Sequence, residues 1–355
     1  MAKTINLAVV GSGLIGSIHA QAIAEVPNAK MTVVIDSFEE RAQQLAAKYG
    51  AAAEKDLAEA LKRDDIDAVH ICTPSGTHAK LGTIAAAAGK HVLVEKPLDI
   101  NLPAGRRLVG AAREHGVKVG VIFQKRFSAP AQRTKQAVSS GELGDLIQCD
   151  AYIKWYREPK YYSDSPWHGT WSMDGGGALI NQGIHMVDLL KWIGGPVRSV
   201  FAKRRTALHK IEVEDLADAI VEFQNGALGI IQASTALYPG FPERLDVHGS
   251  KGSAVIEGSE LAQWAVQGQP AEARVTGLPT GHSDPGAIGY KWHVPVITDF
   301  VNAIIEGREP MVSGQDGLDT LELIMAVYKS AQEGKEVTLP LPEGWLPRPK
   351  VEVEL

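Results

Sequence analysis

An apolar run at the start of the chain leads straight into a glycine loop, Gly11-Ser12-Gly13-Leu14-Ile15-Gly16. No other stretch constrains the fold as much. GxGxxG alone is a weak signal in a sequence with 36 glycines, so its surroundings matter. Leu7–Val10 reads as a buried strand before it and Ile15–Ala24 as a helix after it. Asp36 lies 20 residues beyond Gly16, at the end of a second apolar strand, Met31–Ile35. The first glycine permits a tight turn. The second lets backbone N–H groups approach a pyrophosphate. The third lets helix and strand pack closely, with the helix N-terminus facing the anion. Asp36 suits both ribose hydroxyls of NAD and repels a 2′-phosphate, although Arg41, one helical turn on, leaves NADP open. The rival reading is a structural turn with Asp36 as a helix cap.

The alternation continues with helix Glu39–Lys48, strand Ala68–Cys72, helix His78–Ala88, strand His91–Glu95, helix Pro103–Glu114 and strand Val117–Phe123. Apolar strands alternating with helices predict an α/β domain over 1–124, a doubly wound parallel sheet covered on both faces. From 125 to 340 the pattern changes to an α+β domain with a large, mostly antiparallel sheet. Helix Ala129–Ser140 and strand Leu146–Trp155 precede a loop carrying Tyr161, Tyr162, Trp167 and Trp171. Asp174-Gly175-Gly176-Gly177 then opens a helix, Leu179–Ile193. Strands Val197–Arg205, Asp218–Gln224, Leu228–Ala236, Arg244–Gly249 and Ser253–Glu257 follow closely, two of them joined by the hairpin turn Asn225-Gly226. Helices Ile297–Ile305 and Gly317–Ala331 end the domain, and residues 341–355 read as an extended proline-rich tail.

Charge and cysteine usage exclude several function classes. With 36 basic and 42 acidic residues the net charge is −6, which argues against nucleic acid as a main partner. Lys203-Arg204-Arg205 reads as a solvated strand face. Two distant cysteines, Cys72 and Cys149, form neither a CxxC nor a disulfide framework, consistent with a reduced, cytoplasmic protein. The first residues lack a signal-peptide layout, and no window reaches the ~18 apolar residues of a membrane span. The 11 histidines show no metal-ligand spacing, so no metal is expected.

Ligands of open parallel sheets bind outside the carboxyl ends of the strands. Those ends are Gly11, Asp36, Cys72-Thr73-Pro74, Glu95-Lys96-Pro97 and Phe123-Gln124-Lys125-Arg126. Lys96, held extended by the following proline, is a cation at the lip of the crevice. The Lys96–Pro97 bond is cis or trans; the sequence leaves both open. In the second half, Asn181, His185 and Asp188 are spaced 4 and 3 and share one face of an otherwise apolar helix. Such a stripe is either a satisfied core cluster or the lining of a substrate pocket with His185 as general base.

These residues together resemble the Gfo/Idh/MocA oxidoreductases over nearly the whole chain. The marks are Gly11–Gly16 with His19, Cys72-Thr73-Pro74 with His78, Glu95-Lys96-Pro97-Leu98, Gly175-Gly176-Gly177, and His185 with Asp188. The resemblance implies a Rossmann domain, a second domain whose open sheet face forms dimers or tetramers, and NAD(P)-dependent oxidation of a secondary carbinol in a sugar, sugar acid or inositol. It carries the catalytic pair onto Lys96 and His185. Lys96 as ammonium stabilises developing alkoxide and His185 removes the hydroxyl proton, the roles exchanging if burial lowers the lysine pKa. It places Gly11, Ser12, Gly13, Leu14, Ile15, Gly16, Asp36, Cys72, Thr73, Pro74, His78, Glu95, Lys96 and Pro97 around the cofactor. Arg126, Tyr156, Trp167, Asn181 and His293 are candidate substrate contacts. Several members have Asp four residues before the histidine. Here Asn181 stands in that place; unable to take a proton, it suits a substrate hydroxyl. The stretch Trp167-His168-Gly169-Thr170-Trp171 with Asp174, Asn181, Gln182 and His185 also resembles the UDP-N-acetylglucosamine 3-dehydrogenase branch. A dinucleotide-binding regulator without turnover is the alternative from another class.

Overall fold

A computed structural model describes residues 3–269 and 289–347. Two compact units emerge: Met1–Gln124 with Gly289–Asp319, and Lys125–Ile288 with Thr320–Leu355. Residues 289–319, which the sequence pattern assigns to a second domain over 125–340, group with the first unit. Of the expected tail, residues 348–355 lie outside the described residues. Leu341 is buried and donates its N–H to Glu322, which anchors the tail's start.

The first unit begins with β1 (Ile5–Val10), α1 (Leu14–Ile23), β2 (Ala29–Ile35), α2 (Glu39–Tyr49), β3 (Ala52–Glu54) and α3 (Leu57–Ala60). It continues with β4 (Ala68–Ile71), α4 (His78–Ala87), β5 (His91–Val94), α5 (Leu102–Glu114) and β6 (Val119–Val121). The six strands run parallel in the order β3-β2-β1-β4-β5-β6. Strand order reverses between β1 and β4, which makes their carboxyl ends the natural binding edge. Strands β1, β4 and β5 are almost wholly buried, as continuous apolar runs in a covered parallel sheet should be. The short β3 and α3 carry too few residues for a periodic signal. Local chemistry sets their ends all the same: Asp56 accepts the Glu59 N–H to start α3.

The second unit holds α6 (Ala129–Ser139), β7 (Leu146–Lys154), α7 (Pro159–Ser163), a π-helical turn (Ala178–Gly183) and α8 (Ile184–Gly194). Then come β8 (Val197–Arg205), β9 (Leu216–Phe223), β10 (Leu228–Ser234), β11 (Arg244–Gly249), β12 (Gly252–Glu257) and β13 (Glu260–Val266). The chain re-enters the first unit as α9 (His293–Glu306), and α10 (Gly314–Glu333) leads back to β14 (Val337–Thr338). Within the first unit α9 packs on α1. Val121 donates to the Val312 carbonyl, so the returning segment covers the β6 edge of the sheet.

The second sheet has the order β13-β12-β11-β7-β10-β9-β8-β14, antiparallel except between β7 and β10. Helix α8 packs on β7 and β11. On the other face, Phe201, Ile220 and Ile230 are exposed apolar residues on three adjacent strands, directly paired in register.

Candidate active site

Three glycines of the first loop meet different surroundings. A Cβ on Gly11 would lie 2.6 Å from the Cys72 carbonyl oxygen, and φ there is +94°. A Cβ on Gly16 would lie 1.8 Å from the Gly11 oxygen. Close packing of β1, β4 and α1 therefore demands both. Gly13 differs: φ is −69°, and a Cβ would meet nothing within 4 Å. The protein's own packing does not require a bare backbone at Gly13, which leaves room for a ligand at the start of α1. No side chain caps this helix, whose first turn carries no acid. Leu14, 71% exposed, and Ile15, 36% exposed, flank the opening. These features fit a dinucleotide pyrophosphate.

Asp36 closes the loop from the next strand. Its Oδ2 accepts the Ser12 N–H and hydroxyl, both at 2.7 Å, and Oδ1 accepts the Phe38 N–H at 2.9 Å. Partial burial pushes the carboxyl up, but hydrogen bonds from Phe38 and Ser12 outweigh it and hold the pKa below its ordinary value. Asp36 is thus a fixed anion. Arg41 lies over the Phe38 ring, 4.6 Å from its centroid.

After β4, Thr73 and Thr77 share a hydrogen bond, and Thr77 donates to the Pro74 carbonyl. His78, expected at the cofactor, is 1% exposed. Its Nδ1 lies 2.7 Å from the Pro97 carbonyl oxygen and its Nε2 2.7 Å from that of Thr73, which puts the ring between the β4 and β5 loops. Cys72 is a free, buried cysteine; burial, and then the charge of Glu95, lift its thiol pKa far above the usual value.

Glu95, expected around the cofactor, sits in a buried hydrogen-bond network. It is 7% exposed, and its oxygens accept from His19, His293 and the Lys96 N–H. Burial would raise its pKa, yet the two histidine hydrogen bonds hold it well below the carboxylate range. His293, expected at the substrate, is likewise 3% exposed and committed to this network. Lys96 itself is half-buried, and its peptide to Pro97 is cis. It leaves β5 on the sheet edge that also carries the glycine loop.

In the second unit the triple glycine is a packing device. A Cβ on Gly176 would sit 2.1 Å from the Tyr328 hydroxyl, and one on Gly177 1.7 Å from the Glu214 carbonyl. The Glu214 carboxylate accepts from the N–H groups of Gly177 and Leu179 and from the Tyr328 hydroxyl. The expected helix from 179 thus begins one residue earlier, as a π-turn.

The members of the polar stripe have different partners. Asn181 lies in the π-turn and donates its amide to Asp174 at 2.8 Å. Asp188, 1% exposed, accepts from Arg126 through both oxygens and from Thr320. Arg126, a candidate substrate contact, is also 1% exposed and forms a buried ion pair with Asp188. His185 is 8% exposed on the first turn of α8.

Around Asn181 gather residues that spacing alone does not bring together. Gln182 donates to the Tyr161 hydroxyl at 3.1 Å. Tyr161 stacks on His168 at 4.6 Å between centroids, and Trp167 packs on the same imidazole at 4.1 Å. Burial, and then the charge of Asp174, push the Tyr161 hydroxyl up to about 12. After β7, Tyr156 separately meets Tyr238 edge-to-face at 5.3 Å. Such aromatic faces with polar tips suit the mixed surface of a sugar. The sequence signal for Asp174 is its place directly before the glycines, and for Gln182 its place in the stretch that resembles the UDP-N-acetylglucosamine 3-dehydrogenase branch.

Comparison with known proteins decides the family. Residues 5–123 match the oxidoreductase family, NAD-binding Rossmann fold, of the Gfo/Idh/MocA group. Residues 131–255 match the Gfo/Idh/MocA C-terminal domain. The chain belongs to the Gfo/Idh/MocA family. It is similar to the crystal structure of the WlbA dehydrogenase from Bordetella pertussis in complex with NADH and UDP-GlcNAcA. That match has TM-score 0.85 and 32% identity, and covers 96% of this chain and 100% of the other. It is 28% identical over 346 residues to myo-inositol 2-dehydrogenase of Thermotoga maritima, 94% of this chain and 98% of that one. Inositol 2-dehydrogenase of Rhizobium meliloti is 29% identical over 343 residues, 95% of this chain and 99% of that one. The protein is therefore an NAD-binding Gfo/Idh/MocA oxidoreductase. Among the described residues no helix is long and apolar enough to cross a membrane.

Proposed function

We propose that this oxidoreductase is an NAD-dependent dehydrogenase of a secondary carbinol in a sugar, sugar acid or inositol, with Lys96 and His185 as its acid–base pair. The observation that carries the reading is the open space at Gly13, beside an uncapped helix start and the anionic Asp36. Ser12 and Phe38 would hold Asp36 ready for a ribose diol, and a carboxylate there disfavours the 2′-phosphate of NADP. The nicotinamide, when bound, supplies the hydride exchange with the carbinol carbon. Lys96, as ammonium, donates to the carbinol oxygen and lowers the cost of its developing charge. A neutral His185 imidazole takes the hydroxyl proton. Asn181, steadied by Asp174, offers its amide oxygen to a substrate hydroxyl, while Tyr156 and Trp167 supply aromatic surface. The likeness to WlbA dehydrogenase favours a second reading, a nucleotide-sugar dehydrogenase. The exposed row Phe201–Ile220–Ile230 supports assembly of copies through the open sheet face.

Absorbance of reduced nicotinamide at 340 nm tests the reading. Protein is incubated with NAD or NADP and a panel of inositols, aldoses, sugar acids and UDP-sugars. Turnover of one class that falls at least ~10²-fold in Lys96→Ala and in His185→Ala is the expected result. NAD binding without turnover across the panel would move the reading to a regulator.

A further inference from the structure

Behind Lys96 lies a buried cluster outside the proposed chemistry: His19 from α1, His70 from β4, Glu95 after β5 and His293 at the start of α9, all in the first unit. Nε2 of His19 and Nε2 of His293 each lie 3.1 Å from the same oxygen, Oε1 of Glu95. An ionised carboxylate only accepts, so both Nε2 atoms carry hydrogen. A neutral His19 then has a bare Nδ1, and His70 Nδ1, 3.0 Å away, donates to it. The chain of donors ends at His70 Nε2 and His293 Nδ1, left as bare lone pairs. Those two atoms have no hydrogen-bond partner among the described residues.

One ring nitrogen each of His19 and His293 and a Glu95 carboxylate oxygen also lie within 4.8 Å of one another, close enough to share a metal ion. A metal would take the place of both Nε2 hydrogens. His293 would then carry hydrogen on Nδ1, and His19 Nδ1–H would donate to His70, leaving its hydrogen on Nε2. Two buried donors would face no acceptor, a rarer and costlier condition than two under-used acceptors. Donor accounting thus selects neutral imidazoles around an anionic Glu95.

The other carboxylate oxygen, Oε2, accepts the Lys96 N–H at 3.1 Å. One residue on, the Pro97 carbonyl oxygen lies 2.7 Å from Nδ1 of the buried His78. Side chains from the interior therefore grip the backbone on both sides of the Lys96 side chain. We propose that His19, His70 and His293 form a fixed-tautomer network that keeps Glu95 oriented and thereby aims Lys96, which makes them positioning residues. The proposal rests on the role assigned to Lys96 above. It gives the returning segment 289–319 a task in the first unit: His293 supplies one of the two side-chain donors on Glu95.

Two measurements test it on the intact protein. In ¹⁵N-histidine-labelled protein, long-range ¹H–¹⁵N spectra should show Nε2–H tautomers for His19 and His293 and Nδ1–H for His70. Signals are assigned by single His→Gln variants. Nδ1–H on His19 and His293, or stoichiometric zinc uptake that His293→Gln abolishes, would overturn the network in favour of a metal site. Kinetically, His293→Leu should lower kcat by about 10–100-fold with KM within about threefold, as expected for a misaimed group. In a Lys96→Ala background the same change should alter the residual kcat less than about twofold, because there is no side chain left to aim. An equal loss in both backgrounds means a general structural defect and refutes the positioning role. Should Lys96→Ala alone leave kcat unchanged, the catalytic reading and the positioning role fall together. The tautomer spectra then still report whether the network exists.

Discussion

Gly13→Ala separates ligand approach from fold. The structure puts nothing within 4 Å of the added methyl, and φ of −69° is ordinary for alanine. Alanine at a helix N-cap costs up to roughly 1 kcal/mol relative to glycine, while lower unfolded-state entropy returns about 0.4–1 kcal/mol. Net stability should therefore change by less than about 1 kcal/mol, a Tm shift of no more than about 4 °C. Affinity for NAD should fall much further. A methyl in the path of a close backbone–pyrophosphate contact costs about 1–3 kcal/mol as overpacking, a 5–150-fold rise in Kd. Gly16→Ala provides the contrast: its Cβ would lie 1.8 Å from the Gly11 carbonyl oxygen, so the backbone must move and the folded protein should be lost or severely weakened. Differential scanning fluorimetry reads stability and isothermal titration calorimetry reads NAD binding. Unchanged Kd in a well-folded Gly13→Ala protein would refute the inference that the ligand comes to this backbone. Unfolding of that variant would refute the geometric half.

Other consequences are independent. Arg126→Met leaves the buried Asp188 carboxylate without its guanidinium partner, which should cost about 3–5 kcal/mol in urea unfolding; a stable variant with a raised substrate KM would restore Arg126 to the substrate site. Burial raises the Glu214 pKa in the native state, so the native chain holds this proton more tightly than the unfolded chain does. The stability it contributes is full below the unfolded pKa of about 4.5 and is lost as pH rises through the native value. Glu214→Gln should flatten that fall in stability as pH rises above about 4.5, and an unaltered pH slope would contradict the assignment. Asp36→Ser removes the anion that opposes a 2′-phosphate, so the ratio of kcat/KM for NADP over NAD should rise at least about tenfold in the 340 nm assay. Ile220→Lys places a charge in the exposed row of the open sheet and should lower the assembly state in sedimentation velocity; an unchanged state moves the contact elsewhere.

Local chemistry in the sequence determined much of the fold. Strand β8 over Val197–Arg205 and β11 over Arg244–Gly249 have the ends that alternation and glycine placement predict. The alternating strand–helix run of the first unit is legible because parallel strands buried on both faces are written as continuous apolar runs. Asp36 and Lys96 are legible as strand ends because glycine and proline mark where strands stop. Signals that depend on distant partners are not legible. Arg126 reads as an available cation until Asp188, 62 residues away, is folded against it. His293 reads as a substrate contact until the segment carrying it returns to Glu95, 198 residues away. The spacing of Asn181 and His185 predicts one regular helix, but Asn181 lies in a π-turn over Ala178–Gly183, before which Glu214 and Tyr328, far along the chain, fix the Gly177 backbone. Periodicity records which face of an element is apolar. Whether a polar side chain on the other face meets solvent, a ligand or a buried partner depends on contacts far along the chain, and only the tertiary structure decided those.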